Sequence, residues 1–130
     1  MIERDLLAQN WIAFQNARAK VALHSKEMET YEEMERLVEN EPASALELIE
    51  EILERDTSKV ITSAVGAGPI ENLLCAPGTR VIEKIEALAE KSRAFREALS
   101  VADVWEEECP VYDRFYAILD VEFPSDNESG

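Results

Sequence analysis

The run Gly66-Ala67-Gly68-Pro69 constrains this chain more than any other feature. It sits between two strongly amphipathic segments, 42–55 and 79–91, whose apolar residues recur at helical spacing. Glycine and proline interrupt an α-helix for different reasons. Glycine frees the backbone, and proline lacks an N–H and crowds the preceding turn. Gly66 and Gly68 are therefore expected to end one helix and Pro69 to open the next, which carries Leu73 and Leu74. The glycines should also permit a close helix–helix approach or a positive φ.

Around this connector the rest of the chain reads as helices. Residues 3–23 place Leu7, Trp11, Phe14, Arg18 and Val21 on one face, and residues 24–29 break the period as a loop. Thr30 with Glu33 fits a capping box for a helix over 31–39, with Tyr31, Met34, Leu37 and Val38 inward. Asn40-Glu41-Pro42 restarts the helix over 42–55. Residues 58–65 are rich in β-branched side chains, but a lone strand has no edge to pair with, so a short helix is expected. That helix and its successor lead to a stop at Ala76-Pro77-Gly78. Residues 79–91 then form a helix, Ser92 caps another, and a last helix holds Tyr112, Phe115, Tyr116 and Leu119. The expected fold is all-α: one domain over 1–123, of about six or seven helices in antiparallel or HEAT-like pairs, followed by a disordered acidic tail, 124–130. Its core should contain Trp11, Phe14, Leu46, Ile49, Leu53, Leu73, Leu74, Ile82, Ile85, Leu88, Phe95 and Leu99.

With 130 residues, 46% of them hydrophobic, the chain can bury one core but not two. No apolar run approaches the roughly 18 residues of a membrane span. Met1-Ile2-Glu3-Arg4-Asp5 shows no secretory pattern. The spacing of Cys75 and Cys109 matches no zinc or redox motif, so two reduced thiols, at least one buried, and a cytoplasmic location are expected.

The net charge of −15 is unevenly placed. Residues 26–56 hold twelve acids and three bases, and residues 101–130 hold nine acids and one base. Such a field repels nucleic acid and anionic membranes, and it favours a basic protein partner or simply keeps the protein soluble.

The run Ala67-Gly68-Pro69-Ile70-Glu71-Asn72-Leu73-Leu74 is followed in order by Gly78, Ile82, Ile85-Glu86, Ala89, Phe95-Arg96, Leu99 and Val104-Trp105. Over roughly 35–105, with Pro42, Ala45 and Leu48-Ile49 upstream, this resembles the bacterial DUF6869 family. The resemblance implies a helical domain of bacterial origin and no particular activity. Family members often carry a histidine just before the downstream glycine; Pro77 stands there in this chain.

Three features are candidate sites. Gly66, Gly68, Pro69, Glu71 and Gly78 form the structural motif. A helix start at Pro69 could hold an anion, but Glu71 would occupy its free N–H groups. Glu47, Glu50, Glu51 and Glu54 form an acidic row, with like-charge pairs at 47/51 and 50/54 and only Arg55 nearby. The segment from Trp105 to Tyr116 interleaves aromatics with acids, as a C-terminal cap on the core or as a docking surface anchored by Trp105 and Tyr112.

Catalytic material is thin. His24 is the only histidine, and it falls in the expected loop. The expected function is a non-enzymatic, acidic protein-interaction module without cofactor or metal. An immunity-type inhibitor of a basic toxin is a sharper form of it. A small enzyme with carboxylate chemistry is the alternative from another class.

Overall fold

The segment with the clearest apolar face becomes the hub of the structure. In the computed structural model, which describes residues 4–17, 25–76 and 78–120, α3 spans Pro42–Arg55. Pro42 lies in its first turn, where a missing N–H leaves nothing unpaired. Asn40 closes the preceding helix by donating its side-chain amide to the Arg36 carbonyl, 3.1 Å away. Ala45, Leu46, Leu48, Ile49, Ile52 and Leu53 are all buried, and each such Leu or Ile contributes about 1.5–3 kcal/mol. α3 packs on α1 (Arg4–Ala17) and α2 (Ser25–Asn40), and on α4 (Lys59–Val65), α6 (Gly78–Lys91) and α7 (Arg93–Leu99).

The remaining elements are a π turn (Gly66–Ile70), α5 (Glu71–Cys75), a 3-10 turn (Glu106–Glu108) and α8 (Tyr112–Asp120). No strand occurs among the described residues. The β-branched run 58–65 is helical, with the Ser58 hydroxyl accepting from the Ile61 N–H. Ser92 caps α7 in the same way, accepting from the Phe95 N–H at 3.1 Å. The expected core is buried throughout, except that the side chain of Phe14 lies outside the described residues, as do His24, Pro77 and the tail 124–130.

Two expectations fail. α2 begins at Ser25 and runs without a break to Asn40, so the loop expected to extend to residue 29 is helix from Ser25 onward, and Thr30 is no cap. Thr30 sits inside the helix at 2% exposure. Glu33 does not reach back to it but pairs with Arg36. Packing of α2 on α1 and α3 overrides the local capping signal, and Tyr31, expected inward, is exposed.

The second correction concerns Gly66, Gly68 and Pro69. They neither end a helix nor start one. Val65, Gly66, Ile70 and Glu71 all keep right-handed helical angles, and no glycine has a positive φ among the described residues. The chain from 59 to 75 is one continuous rod with a wide turn at its centre. Proline inside an α-helix would collide with the carbonyl four residues earlier; an i→i+5 turn removes the need for its missing N–H and opens room for the ring. Counted this way, seven helices are present among the described residues.

The two glycines differ sharply. A Cβ on Gly66 would fall 1.9 Å from the Ala98 carbonyl oxygen and 2.9 Å from the Val101 side chain. A Cβ on Gly68 would meet nothing within 4 Å. Gly66 is therefore a backbone-to-backbone crossing of the rod over α7, and Gly68 is not required by contact or by angle. Gly66→Ala should destabilise the fold by about 1–3 kcal/mol through overpacking. Gly68→Ala should be neutral or stabilising, by up to about 1 kcal/mol. Denaturant unfolding of the two variants checks this, and equal effects would contradict it.

Candidate functional site: an acidic, aromatic strap

The Gly66 crossing fixes where α7 ends, and the chain beyond it forms a strap over α5. After α7 the Val101 and Ala102 N–H groups bond back to the Ala98 and Leu99 carbonyls, both at 3.1 Å, which turns the chain. It then extends, and side chains alternate as they do in any extended segment. Ala102 and Val104 point inward and are buried; Asp103 and Trp105 point outward. The 3-10 turn follows, closed by the Glu108 N–H on the Trp105 carbonyl at 3.0 Å. Cys109 and Val111 turn inward again, and α8 begins.

Two contacts pin this strap to α5. The Asp103 N–H donates to Glu71 Oε1 at 3.0 Å. The Cys109 thiol points at the Leu74 carbonyl, 3.6 Å away, a weak contact of sulfur type. Glu71 thus serves a different purpose from the one its position suggested. With no helix start at Pro69 there are no free N–H groups to occupy, and its carboxylate reaches across to the strap.

Between the pins stands the exposed part. Trp105 is 65% exposed, the most exposed large apolar side chain among the described residues. Glu106, Glu107 and Glu108 beside it are exposed and form no ion pair among the described residues. Behind them, Phe115 is fully buried and Ile118 packs α8 inward. Arg114 grips Glu86 of α6 with two hydrogen bonds of 2.6 and 2.9 Å. Tyr112 is half-buried, its ring centroid 4.8 Å from that of Tyr116. Burial first, then Tyr116, Glu106, Asp113 and Glu107, hold its phenol above the usual range. Within the aromatic segment Phe115 packs into the core, and Trp105 faces solvent.

The acidic row is divided. Glu47 pairs with Arg4 of α1 at 2.6 Å, and Glu51 with Arg55 at 3.0 Å, while Arg55 also binds Asp5. Arg4 is a counter-charge that spacing along α3 could not reveal. Glu50 and Glu54 line a groove of about 310 Å³ with Leu88, Lys91 and Phe95. So the row is not one unpaired face. Between α1, α2 and α3 lies a second groove, of about 290 Å³, lined by Arg4, Glu33, Arg36, Glu41 and Glu47 among others. Its guanidinium groups are engaged: Arg36 binds Glu33 at 2.7 Å and Glu41 at 3.0 Å. Among the described residues no three His, Cys, Asp or Glu side chains converge to hold a metal ion, and no helix is long and apolar enough to cross a membrane.

The hydrogen bond from Arg36, opposed in part by burial, holds the Glu33 carboxyl below its ordinary value of 4.5. A depressed carboxyl stabilises the fold above the unfolded value and loses that contribution as pH falls through the folded one. Glu33→Gln should therefore lower the melting temperature slightly at pH 7, and the difference should close as pH drops below about 4. Melting curves of both proteins from pH 7 to pH 2 check this; a gap that widens in acid would contradict it.

A model of the family of unknown function DUF6869 matches residues 18–120, beyond the 35–105 suggested by motifs alone. No curated protein and no solved structure matches the chain.

Proposed function

The chain belongs to the DUF6869 family, a family of unknown function, and we propose that it is a non-enzymatic protein-binding module whose contact surface is the strap 102–109. One observation carries this reading: Trp105 stands in solvent on a segment pinned at both ends, beside three glutamates that form no ion pair among the described residues. A large aromatic in water costs free energy unless something covers it, and Trp is among the residues that most often anchor interfaces. Pinning means that little ordering entropy is lost on docking. The neighbouring carboxylates select the partner's charge. A Lys or Arg side chain can lie over the indole face while the glutamates neutralise its neighbours.

The partner is therefore a protein with a basic, amphipathic segment. A net charge of −15 steers such a partner in and turns nucleic acid away. A cytoplasmic site of action fits an acidic chain that keeps two free thiols. The acidic row on α3 is the weaker candidate, because α1 and Arg55 already satisfy Glu47 and Glu51.

Titration with a Lys- and Arg-rich amphipathic peptide, read by tryptophan fluorescence and calorimetry, tests the surface. Trp105→Ala should cut affinity about tenfold or more while leaving stability within about 0.5 kcal/mol. Glu106→Gln, Glu107→Gln and Glu108→Gln together should lower the association rate and flatten its salt dependence. Glu50→Gln with Glu54→Gln should change neither. Binding untouched by every strap substitution would contradict the reading.

A further inference from the structure

We propose that Cys75 and Cys109 form a dithiol modification site, which closes to an intramolecular disulfide by exchange with a small cationic disulfide. The two residues are 34 positions apart and share no motif, yet the fold brings them together. The Cys109 thiol sits 3.6 Å from the carbonyl of Leu74, the residue bonded directly to Cys75. Cys109 also contributes to the environment that shifts Cys75, along with burial, Glu71 and Glu108. Both are free thiols.

Their exposures assign different roles. Cys109 is 4% exposed and has no direct route to a reagent. Cys75 is half-buried and lines an open groove of about 360 Å³ between α2 and the end of α5, with Glu35, Val38, Glu39, Asn72 and Ala76. Cys75 therefore attacks first. Its thiolate displaces one thiolate from the small disulfide and leaves a mixed disulfide on Cys75. The Cys109 thiolate then attacks the Cys75 sulfur, expels the second small thiolate and forms the Cys75–Cys109 bond. The two protons lost by the cysteines pass to the two leaving thiolates. The protein is oxidised by two electrons, and the small disulfide is reduced to two thiols.

The groove also sets which reagents enter. Glu35 and Glu39 at its wall, with Glu71 and Glu108 near the sulfur, attract a cation and repel an anion. Burial first, then Cys109, Glu71 and Glu108, push the Cys75 thiol up, so exchange is slow at neutral pH and accelerates through and beyond the ordinary thiol range. The product replaces a weak sulfur contact with a covalent pin at the far end of the strap. None of this depends on the strap binding a partner.

The test is intact-mass analysis of the whole native chain treated with cystamine, a cationic disulfide, and separately with oxidised glutathione, an anionic one. With cystamine the wild type should lose two hydrogen atoms and both titratable thiols without forming a covalent dimer. As the chain has two cysteines, that result defines the bond. Cys109→Ala should stop at one stable mixed-disulfide adduct, and Cys75→Ala should stay unmodified until unfolded. Oxidised glutathione should react several-fold more slowly, with the gap narrowing in high salt. Stable adducts on wild-type protein, or a disulfide-linked dimer, would overturn the proposal. Equal rates for the two reagents would overturn the charge selection. The wild-type result stands even if an alanine variant fails to fold.

Discussion

The contact between the Gly66 backbone and the Ala98 carbonyl is the constraint on which the functional surface rests. It lets the 59–75 rod cross α7 with no side chain between them. The end of α7 is thereby fixed against that rod, and the chain leaving α7 passes close to Glu71 and Leu74. The π turn matters as much. It spends one more residue per turn than an α-helix, and one residue corresponds to about 100° of rotation. An ordinary α-helix through Pro69 would therefore aim Glu71 and Leu74 away from the strap. Local backbone chemistry at a proline thus decides which face of α5 meets residues 102–109.

From there the strap follows from its buried ends. Val104 and Cys109 are buried, and the residues between them are not. A short segment with buried side chains at both ends and a 3-10 turn between them displays what lies there, which is Trp105 with three carboxylates. The acidity of the chain acts differently in different places. Around α1 and α3 it is taken up by Arg4 and Arg55. Around α2 it is taken up in part by Arg36. On the strap Glu106, Glu107 and Glu108 form no ion pair among the described residues, and that difference directs the functional reading there.

The periodic parts of the fold are legible in the sequence because burial alone determines them. α3, α6 and the cap at Ser92 need only apolar spacing and a hydroxyl in the right place, and they form where those signals stand. The failures have a common cause. Thr30 reads as a cap, but tertiary packing carries α2 past it. Gly66-Ala67-Gly68-Pro69 reads as a break because glycine and proline usually make one; no local rule announces that a π turn will absorb the proline or that Ala98 lies opposite Gly66. The site shows the same division. Trp105 stands out by its composition, whereas its pins, Glu71 and Cys109, are 32 and 35 residues from their partners along the chain. The neutralisation of Glu47 by Arg4 spans 43 residues. Pattern reading reaches one turn of helix and no further.

The central claim is that the strap is held in place before any partner arrives. Native-state hydrogen exchange at the Asp103 amide measures it most directly, because that N–H lies outside every helix and has the Glu71 carboxylate as its acceptor. Protection comparable to that of the interior amides of α8 is expected, weakened selectively by Glu71→Ala. Exchange at the rate of an unstructured chain in the wild type would show that nothing fixes Trp105 in place.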